Sequence, residues 1–270
     1  MPKTLIFCLA FVFGTAGIVP NEASAQSKKK KYEAVEVTDG GTIRGRVTFA
    51  GDAPDLKLLV TQDKKVCTHT GGKTKSPRLK VGPNGGVAQA IVYLKNIEAG
   101  KPLSTLQALA TLDQVGCAYD PFLQVMPFKK RLTLVNSDAL NHNVHARMKD
   151  QRDPFNFAMP TKDQTITTKP MYRAGIVEIG CDVHLWMTSY IWVVKHPYYA
   201  VTDAAGNFEL TDVPPGSYEL ALWHPGWNAE LKRTTQGQIA GYKYSPPVEQ
   251  LTNVNVSEGK TTETNFTLAP

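Results

Sequence analysis

The chain has 270 residues, 42% hydrophobic and 20% charged, with a formal net charge of +6, which is enough for two ordinary domains or one large β structure. The lysine run Lys28 to Lys31 accounts for most of that charge. The rest is nearly neutral, so a basic pI is poor ground for nucleic-acid binding, and none is expected.

Residues 1–25, MPKTLIFCLAFVFGTAGIVPNEASA, combine Lys3, a short apolar run and the small-residue site Ala23-Ser24-Ala25. They read as a secretory signal, with the mature chain starting near Gln26. An uncleaved anchor is the alternative, but the run is short for one. No later stretch reaches the roughly 18 apolar residues of a membrane span, so a periplasmic or secreted protein is expected, with no span after processing. Residues 26–39 then read as a basic flexible tail. Cleavage removes Cys8 and leaves Cys67, Cys117 and Cys181. In an oxidising space two of the three should pair, and the third thiol survives if it is buried or held by a metal as thiolate.

Beyond the tail, short alternating runs are broken by Gly, Pro, Asn and Asp, the pattern of an all-β sandwich or barrel. In GTIRGRVTFAG, Ile43, Gly45, Val47 and Phe49 alternate with Arg44, Arg46 and Thr48, a strand with one buried face ended by Gly51-Asp52-Ala53-Pro54. A second strand, AQAIVYLKNI, follows Gly85-Gly86. Helix is expected only around Pro102 to Leu112. From Leu112 the strand runs are FLQVM, KRLTLVN, HNVHARM, GIVEIGC and SYIWVVK, closed by His196-Pro197. The turns Ala205-Gly206 and Pro214-Pro215-Gly216 then separate strands with Phe208, Leu210, Tyr218, Leu220 and Leu222 facing inward.

The pattern Thr202-Asp203, Gly206, Phe208, Val213-Pro214-Pro215-Gly216, Tyr218 and Leu220 resembles the carboxypeptidase regulatory-like, or transthyretin-like, β-sandwich, whose first strand is matched by Gly45-Arg46-Val47. The resemblance implies one discontinuous sandwich, residues 40–111 plus 197–270, enclosing a central domain, residues 112–196.

The central block carries the chemistry. In CDVHLWM a thiol (Cys181), an imidazole (His184) and a thioether (Met187) recur at three-residue spacing. Zinc would have no use for Met187, and a zinc finger needs a second pair that is missing. The soft donors suit copper. A second imidazole can come from His142 or His145, about 40 residues upstream. On extended chain the two project differently, so at most one is well placed.

HNVH at 142–145 and the Cys181, His184, Met187 loop, with the strand LTLVNSD before them, resemble the small cupredoxins, most closely the amicyanins, over roughly 85 residues. The resemblance implies a Greek-key cupredoxin sandwich and one type 1 copper ion held by His142, Cys181 and His184, with Met187 as axial ligand. It also implies a backbone hydrogen bond to the sulfur from Asn143 or a neighbour, and a surface edge of His184 beside an electron-transfer patch of Leu185 and Trp186. Leu185 and Trp186 replace the Pro and Phe of amicyanins. Cys117 falls outside the family pattern and is assigned to a disulfide with Cys67.

The expected function is a one-electron carrier without enzymatic turnover, because all coordination positions are filled by protein. Its partners would be a c-type cytochrome or a periplasmic redox enzyme, since the chain lacks C-x-x-C-H for a haem of its own. Two rivals are a copper-delivery protein without redox turnover, and an adhesion or carbohydrate module using Trp223, Trp227, Tyr198 and Tyr199 for stacking.

Overall fold

Alternation writes the first long strand of the computed structural model. In Gly41–Phe49 the residues Ile43, Val47 and Phe49 are buried while Arg44 is exposed. Described are Met1 and residues 31–68, 73–106, 110–149 and 151–270. The expected signal after Met1 and tail residues 26–30 lie outside the described residues. No described helix is long and apolar enough to cross a membrane.

Gly41–Phe49 pairs antiparallel with Asn207–Val213 and parallel with Thr261–Glu263 and Phe266–Leu268. Gly45 allows this closeness: a Cβ there would stand 1.7 Å from the Thr264 carbonyl oxygen. Across a hydrophobic layer lies a second sheet, in the order Tyr199–Val201, Ile91–Leu94, Gly216–His224, Val248–Val256. Ile43, Val47, Phe208 and Leu210 meet Val92, Leu94, Leu220 and Leu222 between the two.

Strands from Thr111 to Val194 form two further sheets. One runs Ala118–Asp120, Thr111–Val115, Thr133–Asn136, Gln164–Thr167, and the other Leu123–Pro127, Thr188–Val194, Gly175–Gly180, His142–Arg147, Phe155–Met159. Leu112 and Leu134 of the first pack on Val144, Val177, Ile179 and Ile191 of the second. A third layer joins the pairs: Ile91, Tyr93, Ala221 and Trp223 interlock with Phe122, Leu123, Tyr190 and Trp192. Among the described residues the four larger sheets thus stack with three apolar layers between them. The two middle sheets are covered on both faces, which is why IVYL at 91–94 is buried throughout rather than alternating.

Three expectations change. Part of the expected flexible tail is paired: Glu33–Ala34 runs parallel with Ala99–Gly100, and the Tyr32 hydroxyl donates to the Lys101 carbonyl. The segment expected to be helical holds one 3-10 turn, Leu103–Thr105, with residues 107–109 outside the described set, before strand Thr111–Val115. Trp223, Trp227 and Tyr198 are buried and Tyr199 is half-buried against Tyr93, so the aromatics offered for sugar stacking are packing residues.

Candidate metal centre

Strand His142–Arg147 lies between Phe155–Met159 and Gly175–Gly180, with His145 opposite Gly180. Alternation turns His142, Val144 and Ala146 into the core, and His145 outward to Asp182 and Asp153 at 3.0 and 2.8 Å. The pleat thus decides between the two histidines. The register also brings the chain past Gly180 beside Asn143, whose Oδ1 accepts from the Asp182 amide at 2.6 Å while its Nδ2 donates to the Asp182 carboxylate. Buried Asn136 donates to the carbonyls of Leu140 and Met159 and so fixes the loop that delivers His142.

The Cys181 to Met187 loop is tied within itself: the Met187 amide donates to the His184 carbonyl at 2.9 Å, and the His184 amide to Cys181 Sγ at 3.3 Å. Cys181, His184 and Met187 are all buried. His142 Nδ1 lies 2.8 Å from His184 Nδ1, and Cys181 Sγ 3.8 Å from the latter. Nδ1, Nδ1 and Sγ all lie within 4.8 Å of one another.

Electrostatics says what such a cluster needs. Burial pushes His142 below the ordinary histidine range, against the pull of Asp138. Burial alone would raise the Asp138 carboxyl, but the Cys117 amide, His142 and the Gly116 amide together hold it down. A neutral His142 therefore donates Nε2–H to an ionised Asp138 at 2.9 Å and presents a lone pair at Nδ1. His184 Nε2 meets Asp63 Oδ2 at the same distance, and its Nδ1 is presented likewise. Two lone pairs facing each other at this range repel unless a proton or a cation lies between them, and the adjacent sulfur favours a soft or borderline metal. Burial pushes the Cys181 thiol up, opposed by backbone amides of Asn143, His184 and Val183, so a thiolate here calls for a metal. The donor set fits copper.

Cys67 and Cys117 form a disulfide. The expected surface patch is not at the surface. His184 is wholly buried, and Trp186 is 2% exposed, its ring centroid 5.0 Å from that of His184 and its Nε1–H donating to the Cys117 carbonyl. Leu185 is half-buried, near Gly241 of the hairpin Ala229–Arg233 and Ile239–Tyr244. The sequence reading missed Asp63 and Asp138. An acidic residue close before HNVH was the signal available for Asp138; Asp63, 121 residues from His184, offered none.

No family model and no curated protein matches the chain. Solved structures similar to part of it include a copper-containing nitrite reductase from Thermus scotoductus SA-01, at 21% identity and TM-score 0.27, over 33% of this chain and 23% of that one. A purple cupredoxin from Nitrosopumilus maritimus is similar at 17% identity and TM-score 0.27, over 32% of this chain and the whole of that one. An oxidised amicyanin variant is similar at 21% identity and TM-score 0.28, over 31% of this chain and 80% of that one. Each likeness is local, confined to about a third of this chain.

Proposed function

We propose that the protein is a type 1 copper protein and a one-electron carrier of the periplasm or extracellular space. His142, Cys181, His184 and Met187 would hold the copper, in a domain of residues 112–196 set within a regulatory-like sandwich of residues 40–111 and 197–270. The observation that carries the reading is the convergence of two imidazole Nδ1 atoms and a thiol sulfur at a buried point, with both far ring nitrogens on carboxylates.

Bound copper would supply a one-electron couple. The chain's part is to hold the donors where they stand in both oxidation states. His142 is fixed by a strand on one side and Asp138 on the other, and Cys181, His184 and Met187 share one internally bonded loop. Little rearrangement then accompanies gain or loss of an electron. The amides of Asn143, His184 and Val183 directed at Cys181 Sγ would withdraw charge from a thiolate there, and Met187 would help set the potential. A c-type cytochrome or a periplasmic redox enzyme is the proposed partner.

The test is visible absorption of the chain from Gln26 after addition of Cu(II), with Cys181→Ser and Met187→Ala beside it. An intense blue to green band lost in Cys181→Ser, and shifted but kept in Met187→Ala, is expected. A colourless wild-type protein overturns the reading. Burial of His184 also suits a delivery protein, and failure of the copper form to exchange electrons with cytochrome c would favour that alternative.

A further inference from the structure

Asp63 stands immediately before the helical turn Lys64–Cys67 in a left-handed conformation, φ 45° and ψ 36°, a region that non-glycine residues enter at a cost. An aspartate there ordinarily turns its carboxylate onto the first free amides of the helix. This one makes no such bond and instead places Oδ2 2.9 Å from His184 Nε2. Its side chain is 43% exposed while that of His184 is fully covered, so the carboxylate reaches from the surface to a buried imidazole.

The segment is held from two directions. The turn ends at Cys67, cross-linked to Cys117. The Cys117 amide donates to Asp138 Oδ2, the atom that also receives His142 Nε2. One disulfide therefore links the two segments whose carboxylates hold the far nitrogens of both imidazoles. On the other side, Tyr242 Oη accepts from the Leu59 amide at 2.6 Å and donates to the Leu59 carbonyl at 3.0 Å. This fastens the chain leading to Asp63 onto the hairpin beside Leu185.

We propose that Asp63, anchored by Cys67–Cys117, is a ligand-positioning residue that fixes His184 as the Nε2–H tautomer and covers its outer edge. Metal exchange at His184, and electron exchange through that edge, are then limited by movement of the Asp63 segment. The metal half rests on the copper reading above, whereas the tautomer half does not. A carboxylate on a ligating imidazole raises its basicity and favours the more highly charged metal state, and removing such a partner typically costs 10–100-fold in metal affinity.

The test uses the mature chain, with Asp63→Ala, Asp63→Asn and the double variant Cys67→Ser/Cys117→Ser. Long-range 15N–1H NMR of the metal-free protein should show a proton held on His184 Nε2 in the wild type, with any shared proton lying between the two Nδ1 atoms, and only partial occupancy of Nε2 in Asp63→Ala. In the copper form, Asp63→Ala should keep the thiolate band, bind copper about 10–100-fold more weakly, raise the midpoint potential and lose Cu(I) to a chelator at least tenfold faster. The double variant should move in the same direction by less, and Asp63→Asn should fall between Asp63→Ala and wild type. An unchanged potential, chelator rate and tautomer in a folded Asp63→Ala protein would overturn the proposal. If the wild type showed no thiolate band, the copper reading would fail while the NMR arm still decided the role of Asp63.

Discussion

Two pairs of histidines, three of the four rings buried and His196 half-buried, are treated oppositely. In the sandwich that carries Cys181, His142 and His184 each set Nε2 against a carboxylate. Outside that pair, His224 donates Nδ1–H to the Pro225 carbonyl and leaves Nε2 without a partner, and His196, just after strand Thr188–Val194, leaves Nδ1 without one. Burial pushes both of these down to about 4, with Arg78 adding to the effect on His224. They behave as polar aromatics in packing, His224 against Trp227 and His196 against Tyr199. Burial of a histidine is therefore a poor sign of a site. What separates the pairs is whether the far nitrogen is held, because a held nitrogen aims the other one.

The contrast has consequences for the whole molecule only if the two sandwiches unfold together, and Trp223 tests that. It is 1% exposed and projects from the sheet of Gly216–His224 edge-on to Tyr190 and Trp192 of the copper-side sheet, at 5.4 and 5.5 Å. Trp223→Ala should cost about 3–5 kcal/mol and keep one urea transition monitored at either sandwich. Two separated transitions, or a loss under about 1 kcal/mol, would show the shared layer to be a loose contact.

Acid probes the unpartnered pair. Their folded value lies near 4 against 6.5 for a free histidine, so both are neutral in either state above the free value and contribute nothing there. As pH falls from 6.5 towards 4 the unfolded chain takes up protons that the folded one refuses, and stability drops by up to about 3 kcal/mol per histidine. The depressed carboxylates Asp138 and Asp182 lose their contribution only at lower pH, whereas His142, also held below the ordinary range by burial, adds to the same window, so a single-histidine variant is needed to isolate His224. Urea unfolding across it should show a flatter slope in His224→Phe than in wild type, and equal slopes would mean His224 titrates normally.

Three of the four proposed ligands were legible because they are local: Cys181, His184 and Met187 stand out by spacing, and the alternation of Ile43, Val47 and Phe49 gives a strand with one wet face. What was hidden is long-range. Nothing near Asp63 announces His184, and the surface role expected of Trp186 fails because a distant disulfide supplies the carbonyl for its indole. Leu220 and Leu222 read as the inward residues of their strand, with Trp223 offered to a ligand; the burial of Ala221 and Trp223 and of all of Ile91 to Leu94 comes from a second sandwich behind them, which a period-two pattern does not encode.

The smallest of these effects is the most specific. Asp138 Oδ1 accepts from the Gly116 amide, and Oδ2 from both the Cys117 amide and His142 Nε2. An asparagine has one oxygen and one NH2 group to replace them. With its oxygen towards Cys117 and His142 it keeps two bonds and opposes the Gly116 donor with another donor; flipped, it loses both of the others. The first arrangement is favoured, so Asp138→Asn should hold the His142 tautomer while removing the negative charge behind it. Copper affinity, measured by competition with Cu(I) chelators, should then fall about 10–100-fold, equivalent to roughly 1.4–2.7 kcal/mol, with the visible band little moved. An unchanged affinity would mean that geometry alone, without the charge, distinguishes His142 from His224, and the contrast between the two histidine pairs would reduce to which nitrogen happens to face a neighbour.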